Sequence, residues 1–138
     1  MGLSVLIVGD SAVMRKILER SLRQAQVQIE QVLEARNGAE ALERLKAEAG
    51  IQVVFSDVDM PNMDGLEFLR QLRQLDQFRK IPVVMVTTEG SEATVMEARS
   101  LGASGYIKKP FTPLQMQEAL QKVLSQDQAA SGRGRAGV

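Results

Sequence analysis

The chain has 138 residues, 44% of them hydrophobic and 25% charged, with 17 Lys and Arg balancing 17 Asp and Glu. That is the size and composition of one soluble domain with a core, and zero formal charge argues against a general nucleic-acid or membrane-surface binder. With no Cys and no His, disulfide frameworks, thiolate nucleophiles, Cys zinc sites and imidazole bases are excluded, leaving carboxylates, hydroxyls, Lys and an oxygen-bound metal for chemistry.

Taken in chain order, residues 3–8 (LSVLIV) read as a fully buried first strand. Gly9-Asp10-Ser11 breaks it, and Ser11 is placed to cap a helix through about Gln24 that carries Val13, Ile17 and Leu22 among basic residues. A second strand is expected over 29–33, followed by a helix opened by Asn37-Gly38, with Ala41, Leu42 and Leu45 on one face and an end near Gly50. The third strand is read over 51–56, and a helix begins near Asp64-Gly65 with Leu66, Leu69 and Leu72 at helical spacing. Residues 82–87 (PVVMVT) are the fourth strand and 91–101 a helix, with Gly102 suited to its C-terminal end. A short fifth strand covers 105–108. Thr112-Pro113-Leu114-Gln115 then combines an N-cap, a first-turn proline and a capping-box partner for a last helix to about Leu124.

Strands alternating with helices mean βαβ units and a parallel sheet covered on both faces. Residues 1–125 are expected to form the domain. From 126 to 138 the composition shifts, and this stretch is read as a disordered tail or a linker cut short. No apolar run spans a bilayer and no signal peptide precedes the first strand, so a cytoplasmic location is expected.

The stretch 53–65, VVFSDVDMPNMDG, concentrates the functional signal. A strand runs straight into Asp57, although Asp is a poor strand residue and is rarely buried unpaired. Open α/β sheets place ligands at the C-terminal strand ends. There the first, third, fourth and fifth strands deliver Asp10, Asp57, Thr87 and Lys109. Two carboxylates with carbonyl and water oxygens suit Mg²⁺. A carboxylate is also a phosphoryl acceptor, and an ammonium and a hydroxyl can hold two of the transferred group's oxygens while the metal holds the third.

Four motifs, VGDSAVMRK, SDVDMPNMDG, MVTTE and GYIKKPF, stand in an order and spacing that resemble the receiver domain of two-component response regulators, of the small CheY-like type. The resemblance covers residues 3 to about 124. It implies a flavodoxin-like (βα)5 fold with strand order 2-1-3-4-5. It also implies a switch without metabolic activity, which catalyses only its own phosphorylation and dephosphorylation. Asp57 would be the phosphoacceptor, Asp10 and Asp57 metal ligands for Mg²⁺, and the Asp59 carbonyl a further ligand. Thr87 would contact the phosphoryl group and Tyr106 follow its movement. Lys109 would pair with phosphoryl oxygens and precede a cis bond to Pro110. Asp59 and Glu89 would modulate phosphate loss. The implied partners are a sensor histidine kinase or phosphotransfer protein, and a downstream target or output domain gripping the face of the fourth helix, fifth strand and fifth helix. Nucleic acid and membrane are not among them.

The family usually carries two adjacent acids after the first strand, and here the first is Gly9. A site one negative charge short should bind metal more weakly, and the Asp59 charge could partly stand in. Three other readings remain. A pseudo-receiver would dock a partner without phosphorylation. VLIVGDS resembles a GDSL-type esterase block, but that chemistry needs a His base. Asp57-Val58-Asp59 resembles the DxD of haloacid-dehalogenase-like phosphatases, which usually want Thr or Val where Pro61 stands.

Overall fold

The computed structural model describes residues 2–25, 28–48, 50–58, 64–87, 92–109 and 111–123. Its apolar runs become five strands: β1 (Leu3–Val8), β2 (Ile29–Ala35), β3 (Val53–Asp57), β4 (Val83–Thr87) and β5 (Gly105–Lys108). All pair in parallel, in the order β2-β1-β3-β4-β5. β3 and β4 are buried at every residue and β1 at all but Ser4. Strands covered on both faces lose the polar alternation of a half-exposed strand, which is why they read as unbroken apolar runs.

The helices are α1 (Ala12–Gln24), α2 (Gly38–Ala47), α3 (Gly65–Gln74), α4 (Glu92–Ser100) and α5 (113–123). Side chains alternate between faces along a strand, so the core divides in two. Leu18 and Leu22 of α1 and Met116, Leu120 and Val123 of α5 pack on Val5, Ile7, Phe55, Val84 and Val86. On the opposite face Ala41 and Leu45 of α2, Phe68, Leu69 and Leu72 of α3 and Ala98 of α4 pack on Leu6, Val8, Val54 and Met85. Burying one such Leu or Phe stabilises the fold by about 1.5–3 kcal/mol.

The caps form where the sequence places them. Ser11 Oγ accepts from Met14 N–H at 3.2 Å, Asn37 Oδ1 from Glu40 N–H at 2.9 Å and Asp64 Oδ1 from Glu67 N–H at 2.8 Å. Thr112 and Gln115 close a reciprocal capping box: Thr112 Oγ1 accepts from Gln115 N–H at 3.1 Å, and Gln115 Oε1 from Thr112 N–H at 2.8 Å.

Several boundaries differ from expectation. β2 continues to Ala35 instead of stopping at Leu33, because Glu34 and Ala35 still pair with Ile7 and Val8. β3 occupies 53–57, starting two residues later than read and including Asp57 itself. α2 ends at Ala47, ahead of Gly50, since Glu48 already has extended backbone. A 3-10 turn at Asp76–Phe78 was not anticipated. Within α1, Leu22 is buried but Val13 and Ile17 are 69% and 45% exposed. The inward stripe runs through Met14, Leu18, Leu22 and Ala25, and Val13 and Ile17 stand one position off it. Among the described residues no helix is long and apolar enough to cross a membrane.

Candidate functional site

The ends of β1, β3, β4 and β5 bring four predicted residues to one edge of the sheet. Val8 pairs with Ser56, Asp57 with Val86, and Thr87 with Lys108. Asp10 therefore follows β1 where Asp57 ends β3, and Lys109 follows β5 beside Thr87. Asp57 is buried, 6% exposed, and Thr87 is fully buried, whereas Asp10 is exposed.

An acid this deep needs a partner, and it has one. Lys109 Nζ stands 3.2 Å from Asp57 Oδ2, with both side chains about nine-tenths buried. Lys109 is tied at its backbone as well, its N–H donating to the Thr87 carbonyl at 2.7 Å. One residue thus links the ends of β3, β4 and β5. Ser56 Oγ donates to the Asp57 carbonyl at 3.1 Å.

The chain after Asp57 is held tightly. Val58 N–H donates to the Val86 carbonyl at 3.1 Å, and Gly65 N–H to the Val58 carbonyl at 2.8 Å. The second bond pulls the start of α3 against the end of β3. A Cβ on Gly65 would lie 2.2 Å from the Asp57 carbonyl oxygen, 2.8 Å from Met85 Cε and 2.9 Å from Val58 Cα. Only glycine allows this approach. Gly9 is different: a Cβ there would lie 3.8 Å from Asp57 Cβ and 3.9 Å from Arg15 Cγ, ordinary contact distances. Packing does not demand glycine at position 9.

Strand parity assigns the residues to faces. Asp57 alternates in phase with Val53 and Phe55, and Lys109 with Ile107, on the side covered by α1 and α5. Thr87 is in phase with Val83 and Met85, on the side of α2, α3 and α4, where the partly buried Tyr106 also packs. Met85 pairs with Tyr106, so Thr87 and Tyr106 are same-face neighbours on adjacent strands. Tyr106, Ala98, Arg99, Ala103, Ala119 and Lys122 line a groove along β5 between α4 and α5.

Asp10 and Asp57 are hard oxygen donors at one edge, which fits Mg²⁺, a cation that commonly takes one or two carboxylates and keeps several waters. Among the described residues no group of three or more acidic, His or Cys side chains gathers. Asp59, Glu89 and Pro110, to which the resemblance assigns metal-ligand, rate-modulating and cis-peptide roles, lie outside the described residues, as does the stretch 126–138.

Sequence reasoning missed two arginines. Arg15 binds the Gly9 carbonyl and Glu34. Arg73 of α3 donates to the carbonyls of Phe78 at 2.9 Å and Gly102 at 2.7 Å. Burial holds the Arg73 guanidinium below its ordinary pKa. Gly102 sits at φ +97°, and a Cβ there would meet Arg73 Nε at 2.8 Å.

Residues 5–121 match the response regulator receiver domain family. The chain is 42% identical to chemotaxis protein CheY1 of Helicobacter pylori over 122 residues, covering 88% of this chain and 97% of that one. It is 38% identical to a CheY homolog of Campylobacter jejuni over 134 residues, covering 97% and 99%. Among solved structures, Vibrio cholerae chemotaxis protein CheY4 superposes with a TM-score of 0.77 at 35% identity, covering 89% and 99%. A putative response regulator from Chloroflexus aurantiacus gives 0.81 at 27% identity, covering 91% and 99%.

Proposed function

The chain belongs to the receiver family of response regulators, and on that premise we propose that it is a phosphorylation-dependent signalling switch with Asp57 as its phosphoacceptor. The observation that carries the reading is the buried Asp57 carboxylate at the end of the central strand, held at 3.2 Å by Lys109. In the proposed reaction an Asp57 carboxylate oxygen attacks phosphorus. The bond from phosphorus to the donor's imidazole nitrogen breaks, and that nitrogen keeps the electron pair. The Lys109 ammonium then transfers its attraction from the carboxylate to a phosphoryl oxygen, and the Thr87 hydroxyl donates to another. Asp10, Asp57 and the Asp59 carbonyl would hold Mg²⁺, which when bound neutralises phosphoryl charge.

The donor in this reading is a sensor histidine kinase or phosphotransfer protein, and the chain acts in the cytoplasm. Its output runs from Thr87 to its same-face neighbour Tyr106 and on to the groove between α4 and α5, where a target docks. The change is a shift between pre-existing populations.

The test is label uptake from a phosphohistidine donor or a small acyl phosphate. Wild type should take acid-stable, base-labile phosphate, and Asp57→Asn should take none; full labelling of that variant sinks the assignment. Gly9 favours a second reading, a pseudo-receiver that docks without phosphorylation, because nothing in the packing demands a glycine there. Beryllofluoride separates the two. A Mg²⁺-dependent change in the amide spectrum supports the switch, and silence supports the pseudo-receiver.

A further inference from the structure

Arg15 stands in the first turns of α1, and its side chain is only 12% exposed. Nη1 donates to the Gly9 carbonyl oxygen at 2.6 Å, and Nε to Glu34 Oε1 at 2.9 Å. The Gly9 N–H is itself bonded to the Ala35 carbonyl at 3.0 Å. Both polar groups of Gly9 are therefore held, one by β2 and one by α1. This matters because glycine has the freest backbone of any residue, and here it precedes Asp10. Arginine is well suited to such a double grip, since it is always charged and can reach a carbonyl and a carboxylate with one rigid fork. Its stem also borders the site. The space that a Gly9 Cβ would occupy lies 3.9 Å from Arg15 Cγ on one side and 3.8 Å from Asp57 Cβ on the other.

We propose that Arg15 is a positioning residue for Asp10, and that Glu34 restrains it. Arg15 pins the Gly9 carbonyl and so fixes the segment that presents the Asp10 carboxylate to a divalent cation. Glu34 holds the guanidinium on that carbonyl and away from Asp10 and Asp57, the two acids with which it would otherwise pair in competition with the cation. The inference deepens the receiver reading above and rests on it.

The two roles predict different genetics. Arg15→Met removes the pin. Glu34→Gln keeps the pin but releases the charge, so its effect should require Arg15. Backbone amide exchange is measured first, in metal-free protein, for wild type, both single variants and the double variant. Arg15→Met should speed exchange at Gly9, Asp10 and Ser11 by about tenfold while the core amides stay protected. Mg²⁺ is then titrated against amide shifts. Arg15→Met should raise the half-saturating concentration by about tenfold, and label uptake from a small acyl phosphate should lose Mg²⁺ sensitivity rather than plateau level. Glu34→Gln should raise the half-saturating concentration alone, but not in the Arg15→Met background.

Exchange and titration curves for Arg15→Met that overlay wild type overturn the positioning role. An effect of Glu34→Gln that persists undiminished in the Arg15→Met background overturns the restraint. A wild-type chain with no Mg²⁺ response and no label defeats the receiver reading itself. That outcome is distinct from a responsive wild type matched by Arg15→Met.

Discussion

Gly65→Ala gives a quantitative test of how α3 is seated on the site. The added Cβ would start 2.2 Å from the Asp57 carbonyl oxygen, and ordinary contact begins near 3.4 Å, so the start of α3 must retreat by about 1.2 Å. Two of the three opposing atoms are backbone at the end of β3, which the ladder to β4 holds in place. The retreat breaks the 2.8 Å bond from Gly65 N–H to the Val58 carbonyl, worth about 1 kcal/mol. Overpacking adds about 1–3 kcal/mol, and the better helix propensity and stiffer unfolded chain of Ala return about 0.5–1 kcal/mol. The net destabilisation is about 1–3.5 kcal/mol, a fall in Tm of roughly 4–14 °C for a chain of this size. Thermal and urea unfolding followed by far-ultraviolet circular dichroism would measure it, with label uptake on Asp57 recorded in parallel. Both should fall together, since the segment that retreats abuts the backbone of the acceptor residue. A Tm within 2 °C of wild type would refute the claim that this contact is rigid.

A Cβ at position 9 meets only ordinary contacts, but Gly9→Asp adds a like charge beside Asp57. It should lower metal-free stability by on the order of 1 kcal/mol and tighten Mg²⁺ binding; lower stability with unchanged Mg²⁺ affinity would mean that position 9 does not face the cation. Arg73→Met frees the Phe78 and Gly102 carbonyls and should cost about 1–2 kcal/mol in urea unfolding, with amide shifts centred on 101–105. Thr112→Ala removes the N-cap of α5 and should cost about 1 kcal/mol. Glu40 is held below its ordinary pKa of 4.5, first by the Arg36 backbone N–H that it accepts. A lowered folded pKa means stability that is present above pH 4.5 and lost as pH falls through the folded value. The stability gap between wild type and Glu40→Gln should therefore narrow in acid and stay level from pH 6 to 8; a gap that widens in acid reverses the sign.

The fold was legible because its local signals agree. Unbroken apolar runs marked buried parallel strands, Ser11 and Thr112 cap helices as their side chains predicted, and Asn37 and Asp64 cap the helices whose starts were read beside them. Asp57 and Lys109, 52 residues apart, could be joined because strand ends in such a sheet share an edge. What stayed hidden depends on where long side chains point. Arg73 reaches a carbonyl 29 residues onward, and Arg15 folds back six residues to Gly9; neither leaves a periodicity to read. The close approach at Gly65 was equally silent, since a glycine at a helix start has many causes. In α1, a one-position slip in phase separated Val13 and Ile17 from the true inward stripe.

The division of the site between the two faces of the sheet has a genetic consequence. Asp57 and Lys109 share the side lined by α1 and α5, while Thr87 and Tyr106 share the side lined by α2, α3 and α4. Mild lesions that leave the domain folded should therefore sort into two kinds of loss-of-function allele. Those beneath α1 and α5, at Leu18, Met116 or Leu120, should fail to load phosphate. Those beneath α4, at Ala98 or Ala103, should load it normally and go unread. A screen that scores phosphate content and signalling output separately would split the alleles by face, and alleles of both kinds mixed evenly across the sheet would show that the two halves of the core do not divide the labour.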